Sequence, residues 1–173
     1  MAAKLRYEDV QELYREHGAA LLAYAAALLG ERPAAEDVLH QVFLKLLGGR
    51  FGPPSDARPY LFRAVRNATL NFRRSRARDV SLNEDELQGL VRPAEAVDAG
   101  LALEQALREL PIEQREVVVM HVWGAMTLEE IAKVLELSAN TVASRYRYGL
   151  RKLREIMQGP RGAPGAEVND GGE

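Results

Sequence analysis

Between Ser138 and Lys152 short hydrogen-bonding side chains, Asn140, Thr141 and Ser144, stand just ahead of Arg145, Arg147, Tyr148, Arg151 and Lys152. Amides and hydroxyls of this length reach base edges or phosphate oxygens, and a guanidinium forks onto guanine or phosphate. The chemistry on offer is recognition of a polyanion; a merely solvated basic face is the plain alternative. Covalent chemistry has little to work with. The chain has no cysteine, hence no thiol nucleophile, disulfide framework or thiolate metal cluster. It has no glycine-rich phosphate loop, no nucleophile beside a base and no paired carboxylates in apolar surroundings. His17, His40 and His121 fall in separate segments without ligand spacing. No enzymatic activity, metal, cofactor or small-molecule substrate is expected.

These side chains need a helix to present them. Ser138 can cap one whose inward stripe is Val142, Tyr146, Leu150, Leu153 and Met157. Upstream, Thr127 and Glu130 form a capping box, Ile131, Ala132 and Leu135 face inward, and Glu136 and Leu137 make the turn. The pattern is a helix-turn-helix. Asn140, Thr141, Ser144, Arg145 and Arg147 then lie nearest the bases, with Arg151 and Lys152 further along toward phosphate.

A formal net charge of −2 conceals a second basic block: +7 over residues 58–78 and +4 over 138–158, separated by −6 over 79–104. Two basic blocks on helical apolar patterns point to a polyanion held at two places. In the first block Tyr60, Leu61, Ala64, Val65, Ala68, Leu70 and Phe72 form the apolar stripe, and arginines occupy the remaining faces. Residues 5–29 read as one or two helices, and the run Ala19–Leu29 is too short to span a bilayer. Pro33, with Glu36 and Asp37 placed in the first turn, opens another helix with Val38, Leu39, Val42, Phe43, Leu46 and Leu47 inward. The stretch "GGRFGPPSD" at 48–56 is a loop. After Pro111 a helix runs through Val117, Val118, Met120, Val122 and Trp123, with Trp123 assigned to the core.

The expected fold class is all-α: two small helical domains joined by a flexible acidic linker, the C-terminal one a helix-turn-helix. The boundaries are residues 1–78 and 101–158 for the domains, 79–100 for the linker and 159–173 for a disordered tail.

With these residues in hand, the chain resembles the extracytoplasmic-function (ECF) sigma factors of the RNA polymerase sigma-70 family. From Leu107 to Glu155 the L-P-x-x-x-R-x-V opening (Leu110, Pro111, Arg115, Val117), the E-E-I-A step (Glu129 to Ala132) and the S-x-x-T-V-x-S-R run (Ser138 to Arg145) match that family's −35 binding domain. "PAAEDVLHQVFLKLL" resembles its polymerase-binding helix and "RPYLFRAVRNATLNFRRSRAR" its −10 element helix.

The resemblance implies a transcription initiation subunit that binds core RNA polymerase and promoter DNA, located in the cytoplasm, with an anti-sigma factor as a further partner. It assigns core binding to Glu36, Asp37, His40, Gln41, Phe43 and Leu44. It assigns the −10 element to Phe51, Tyr60, Arg63, Arg66, Asn67, Asn71, Arg73 and Arg74. The −35 element falls to Ser138, Asn140, Thr141, Ser144, Arg145, Arg147, Tyr148, Arg151 and Lys152. Family members often carry Gln then an acid where His40 and Gln41 stand, and Trp where Tyr60 stands. The competing readings are a stand-alone helix-turn-helix regulator, which leaves residues 35–74 without a purpose, and a sigma-like decoy that titrates an anti-sigma factor.

Overall fold

A computed structural model describes residues 5–49, 56–80 and 99–158, and among these every regular element is an α-helix. Helix α1 (Tyr7–Leu29) is one continuous rod. It stops at Gly30, whose φ of 78° is the left-handed geometry glycine adopts cheaply and whose N–H donates to the Ala26 carbonyl at 2.8 Å. Helix α2 (Arg32–Leu47) begins with Pro33 in its first turn, where the missing N–H costs nothing. Because α2 starts at Arg32, Glu36 and Asp37 fall in its second turn rather than its first, and Glu36 accepts instead from Arg32 Nε at 2.8 Å. Helix α3 (Ala57–Val80) closes a three-helix unit with α1 and α2.

Helices α4 (Ala99–Glu109), α5 (Ile112–Val122), α6 (Leu128–Leu135) and α7 (Ala139–Gln158) build the C-terminal half. The capping box is formed at α6: the Thr127 N–H donates to Glu130 Oε2 at 2.7 Å and the Glu130 N–H to Thr127 Oγ1 at 3.1 Å. Glu136 ends α6 with φ 58°, turning the chain into α7. The seam of α7 differs from the expected stripe. Met157 is exposed, whereas Val142 and Gly149 are buried and Ile156 packs on the core, seven residues apart in turn. Gly149 sets this register, since a Cβ there would lie 2.9 Å from Val118 Cγ2 on α5.

The two halves pack directly on each other. Helix α1 lies against α5 and α3 against α6, and the buried apolar residues form one continuous cluster. Phe62, outside the expected stripe of α3, is buried because it faces this seam; its ring lies 5.2 Å from that of Tyr24, and a Cβ on Gly124 would come within 2.7 Å of it. Trp123, assigned to the core from sequence, is instead 37% exposed. It lines an open groove of about 530 Å³ with Ala23 and Ala26 of α1 and Leu103 and Leu107 of α4.

Candidate nucleic-acid interface

Helix α7 presents the side chains that sequence singled out. Val142 and Gly149 sink into the core, so the opposite side of the helix turns to water, carrying Asn140, Thr141, Arg147, Tyr148, Arg151 and Lys152 as exposed residues. Ser144 and Arg145 are half-buried at its edge. Ser138 spends its hydroxyl on the helix start: its Oγ accepts from the Thr141 N–H at 3.1 Å and pairs with Thr141 Oγ1 at 2.8 Å. Further along, the Arg151 guanidinium lies 4.9 Å over the Tyr148 ring. The arrangement is a rigid, positively charged ridge with short polar groups at its N-terminal end.

The α3 residues separate into two groups. Asn67, Asn71, Arg73 and Arg74 are exposed, and Tyr60 is half-buried. Tyr60, Arg63, Asn67 and Asn71 also line a cavity of about 220 Å³ against Val42 and Leu46 of α2. Phe51 lies outside the described residues. Arg63 and Arg66, by contrast, turn toward the C-terminal half: Arg63 Nη2 donates to the Lys133 carbonyl, and Arg66 Nε donates to Glu116 Oε1 at 2.7 Å.

Glu116 is a functional candidate that sequence reasoning missed. It is a buried carboxylate at the start of the apolar run 116–120, and the same Oε1 accepts the Tyr24 hydroxyl at 2.6 Å. Burial, then the Glu116 charge, push the Tyr24 pKa well above its ordinary range. Burial works against the Arg66 charge, yet the neighbouring carboxylate outweighs it and the Arg66 pKa is raised. The available signal was one acid in an otherwise apolar run, a position where a charge needs a partner.

On α2, Glu36, Asp37, His40, Gln41 and Leu44 form an exposed face, Leu44 at 52%. Phe43 is the exception: it is buried, and supports that face from beneath through an edge contact, 5.0 Å between centroids, with the exposed Tyr14.

The sequence matches two family models in succession, Sigma-70 region 2 over residues 13–79 and Sigma-70 region 4 over residues 100–153. It is 32% identical over 161 residues to the ECF RNA polymerase sigma factor SigL of Mycobacterium tuberculosis, covering 86% of this chain and 89% of that protein. The chain belongs to the ECF sigma factors of the sigma-70 family. Its function is therefore that of an RNA polymerase sigma factor. The fold of this sigma factor matches that of the sigma factor RpoE of Bartonella quintana, solved with the anti-sigma factor NepR, with a TM-score of 0.74 at 23% identity over 89% of this chain and 99% of that one. It also matches CnrH, solved with the cytosolic domain of CnrY, with a TM-score of 0.63 at 25% identity over 88% and 90% of the two chains. Among the described residues no helix is long and apolar enough to cross a membrane.

Proposed function

We propose that this sigma factor holds core RNA polymerase on the outer face of α2, the −10 element on α3 and the −35 element on α7. Residues 1–78 and 101–158 are then the two working domains, 79–100 the tether and 159–173 a tail outside both. The observation that carries this reading is the two-sidedness of α7, whose seam is buried at Val142 and Gly149 and packs on the core through Leu153 and Ile156, while Asn140, Thr141, Arg147, Arg151 and Lys152 stand in water. Arg145 and Arg147 read bases near the helix start, and Arg151 and Lys152 neutralise phosphate. On α3, Arg73 and Arg74 supply charge to the separating strand, while Asn67, Asn71 and Tyr60 meet an unpaired base at the cavity beside α2. Glu36, Asp37, His40, Gln41 and Leu44 mix charge and apolar area as a docking face requires. The sigma factor works in the cytoplasm and adds no bond-making chemistry of its own. A protein of the anti-sigma class is its inhibitory partner, in line with the complex of the Bartonella quintana RpoE with the anti-sigma factor NepR.

Run-off transcription with purified core polymerase tests this. The full chain directs product from a promoter bearing both elements. Leu44→Asp abolishes core binding, and Arg147→Ala costs about 1–3 kcal/mol of promoter discrimination at one position. Absence of core binding at micromolar concentration, with no product, overturns the reading.

A further inference from the structure

We infer that the open groove between α1, α4 and α5 is a binding site for a small anionic amphiphile, a carboxylate on a slim aliphatic body, whose headgroup is taken by Arg108 and Arg115. The groove shares no lining residue with the faces proposed for polymerase and promoter, so the site stands apart from that reading. Its volume of about 530 Å³ falls within the range of small-molecule pockets, ~300–1,000 Å³. The bed suits a slim apolar body. Helix α1 contributes Ala19, Ala23, Ala26 and Ala27, whose short side chains let an occupant lie close to the helix backbone, and Leu107 of α4 and Val119 of α5 add branched apolar surface. Two turns of an α-helix ~10 Å across displace roughly 850 Å³, more than the groove holds, whereas a single aliphatic chain fits.

The charges on the rim decide the headgroup. Glu31 pairs with Arg76, and Arg32 donates to Glu36 at 2.8 Å and faces Glu104, so these groups already have counter-charges. Arg115 has none. Its Nη1 donates to the Ala27 carbonyl at 2.8 Å and its Nη2 to the carbonyls of Arg108 at 2.6 Å and Leu110 at 2.9 Å, all neutral acceptors. Its Nε is buried without a partner. Burial, then the charges of Arg73 and Arg108, lower the Arg115 pKa, which is the mark of a half-buried cation set beside like charge. An anion in the groove supplies the missing counter-charge. The exposed Arg108 completes the headgroup site with a charge-assisted fork from the rim.

Trp123 is the only tryptophan of the chain and lines the groove, so its fluorescence reads occupancy directly. The full chain is titrated, below micelle-forming concentrations, with decanoate, octanoate, acetate and decyltrimethylammonium in separate arms. Decanoate shifts Trp123 emission to the blue and saturates at one site per chain by isothermal titration calorimetry. Octanoate binds about tenfold more weakly, since each buried methylene contributes about fourfold. Acetate and the cationic amphiphile leave the emission unchanged. Arg108→Gln weakens decanoate by about fivefold, the most that one exposed charge pair is worth. Ala23→Phe fills the bed and abolishes binding, with helices verified by circular dichroism; should that variant not fold, Arg108→Gln and the chain-length series decide. Equal responses to decanoate and decyltrimethylammonium mean an indiscriminate apolar surface and overturn the proposal, as does undiminished decanoate affinity in Arg108→Gln. No saturable response to decanoate at millimolar concentration overturns it too. Trp123 emission that varies with protein concentration and ignores every amphiphile means that a second copy of the chain covers the groove, which equally overturns it.

Discussion

The Tyr24 side chain is fully buried, and its hydroxyl donates to the Glu116 carboxylate at 2.6 Å. Burial and the adjacent Glu116 charge both disfavour tyrosinate, so the Tyr24 pKa is raised well above 10.0. In the unfolded chain the phenol ionises at its ordinary pKa of about 10. As pH rises past that value the unfolded state loses its proton while the folded state keeps it, so the folded state binds more protons and stability falls with pH. The contribution is fully present below about pH 10 and is lost as pH climbs toward the raised folded pKa. We therefore expect denaturant midpoints to decline as pH rises above about 10, and Tyr24→Phe to flatten that decline while lowering stability at neutral pH by about 1 kcal/mol. An equally steep alkaline decline in Tyr24→Phe would place the responsible group elsewhere.

At the scale of elements, α7 was legible in outline because Ser138 and the Val142 stripe carry both a start and a phase, and α6 because Thr127 and Glu130 cap it. The seam was mis-phased at its end. Gly149 has no apolar side chain to count, yet it is the point of closest approach to α5 and draws Ile156 inward in place of Met157. Adding a methyl at Gly149 gives up to about 1 kcal/mol in helix propensity. Against that stands a Cβ 2.9 Å from the buried, β-branched Val118 and 3.4 Å from Gln114 Cβ, an overpacking that costs about 1–3 kcal/mol. Gly149→Ala should therefore destabilise the chain by about 1 kcal/mol net, read as a lower urea midpoint. A rise in the midpoint would mean that α7 stands off α5. The same limit of periodicity hid Phe62 and Glu116. A stripe assigns one buried face to a helix, whereas α3 and α5 are each covered from two sides once the halves meet.

For the whole molecule, salt separates the two uses of its arginines. The Glu116 carboxylate is buried and bonded to Tyr24 and the part-buried Arg66 within an apolar seam, so mobile ions have little access between the charges. Screening with a Debye length of ~10 Å at 0.1 M, or ~3 Å at 1 M, acts on exposed charges and leaves such a pair nearly untouched. Promoter contacts through Arg73, Arg74, Arg147 and Arg151 lie on exposed surface and gain their strength from counterion release. Four such contacts weaken DNA binding by about a thousandfold or more between 0.1 and 1 M salt. Raising salt over that range should thus strip DNA from the sigma factor while the free chain keeps its closed form, seen by small-angle X-ray scattering as a constant radius of gyration. Expansion in high salt would mean that exposed charges facing each other across the halves, such as Arg32 and Glu104, rather than Glu116 and the apolar seam, hold the halves together.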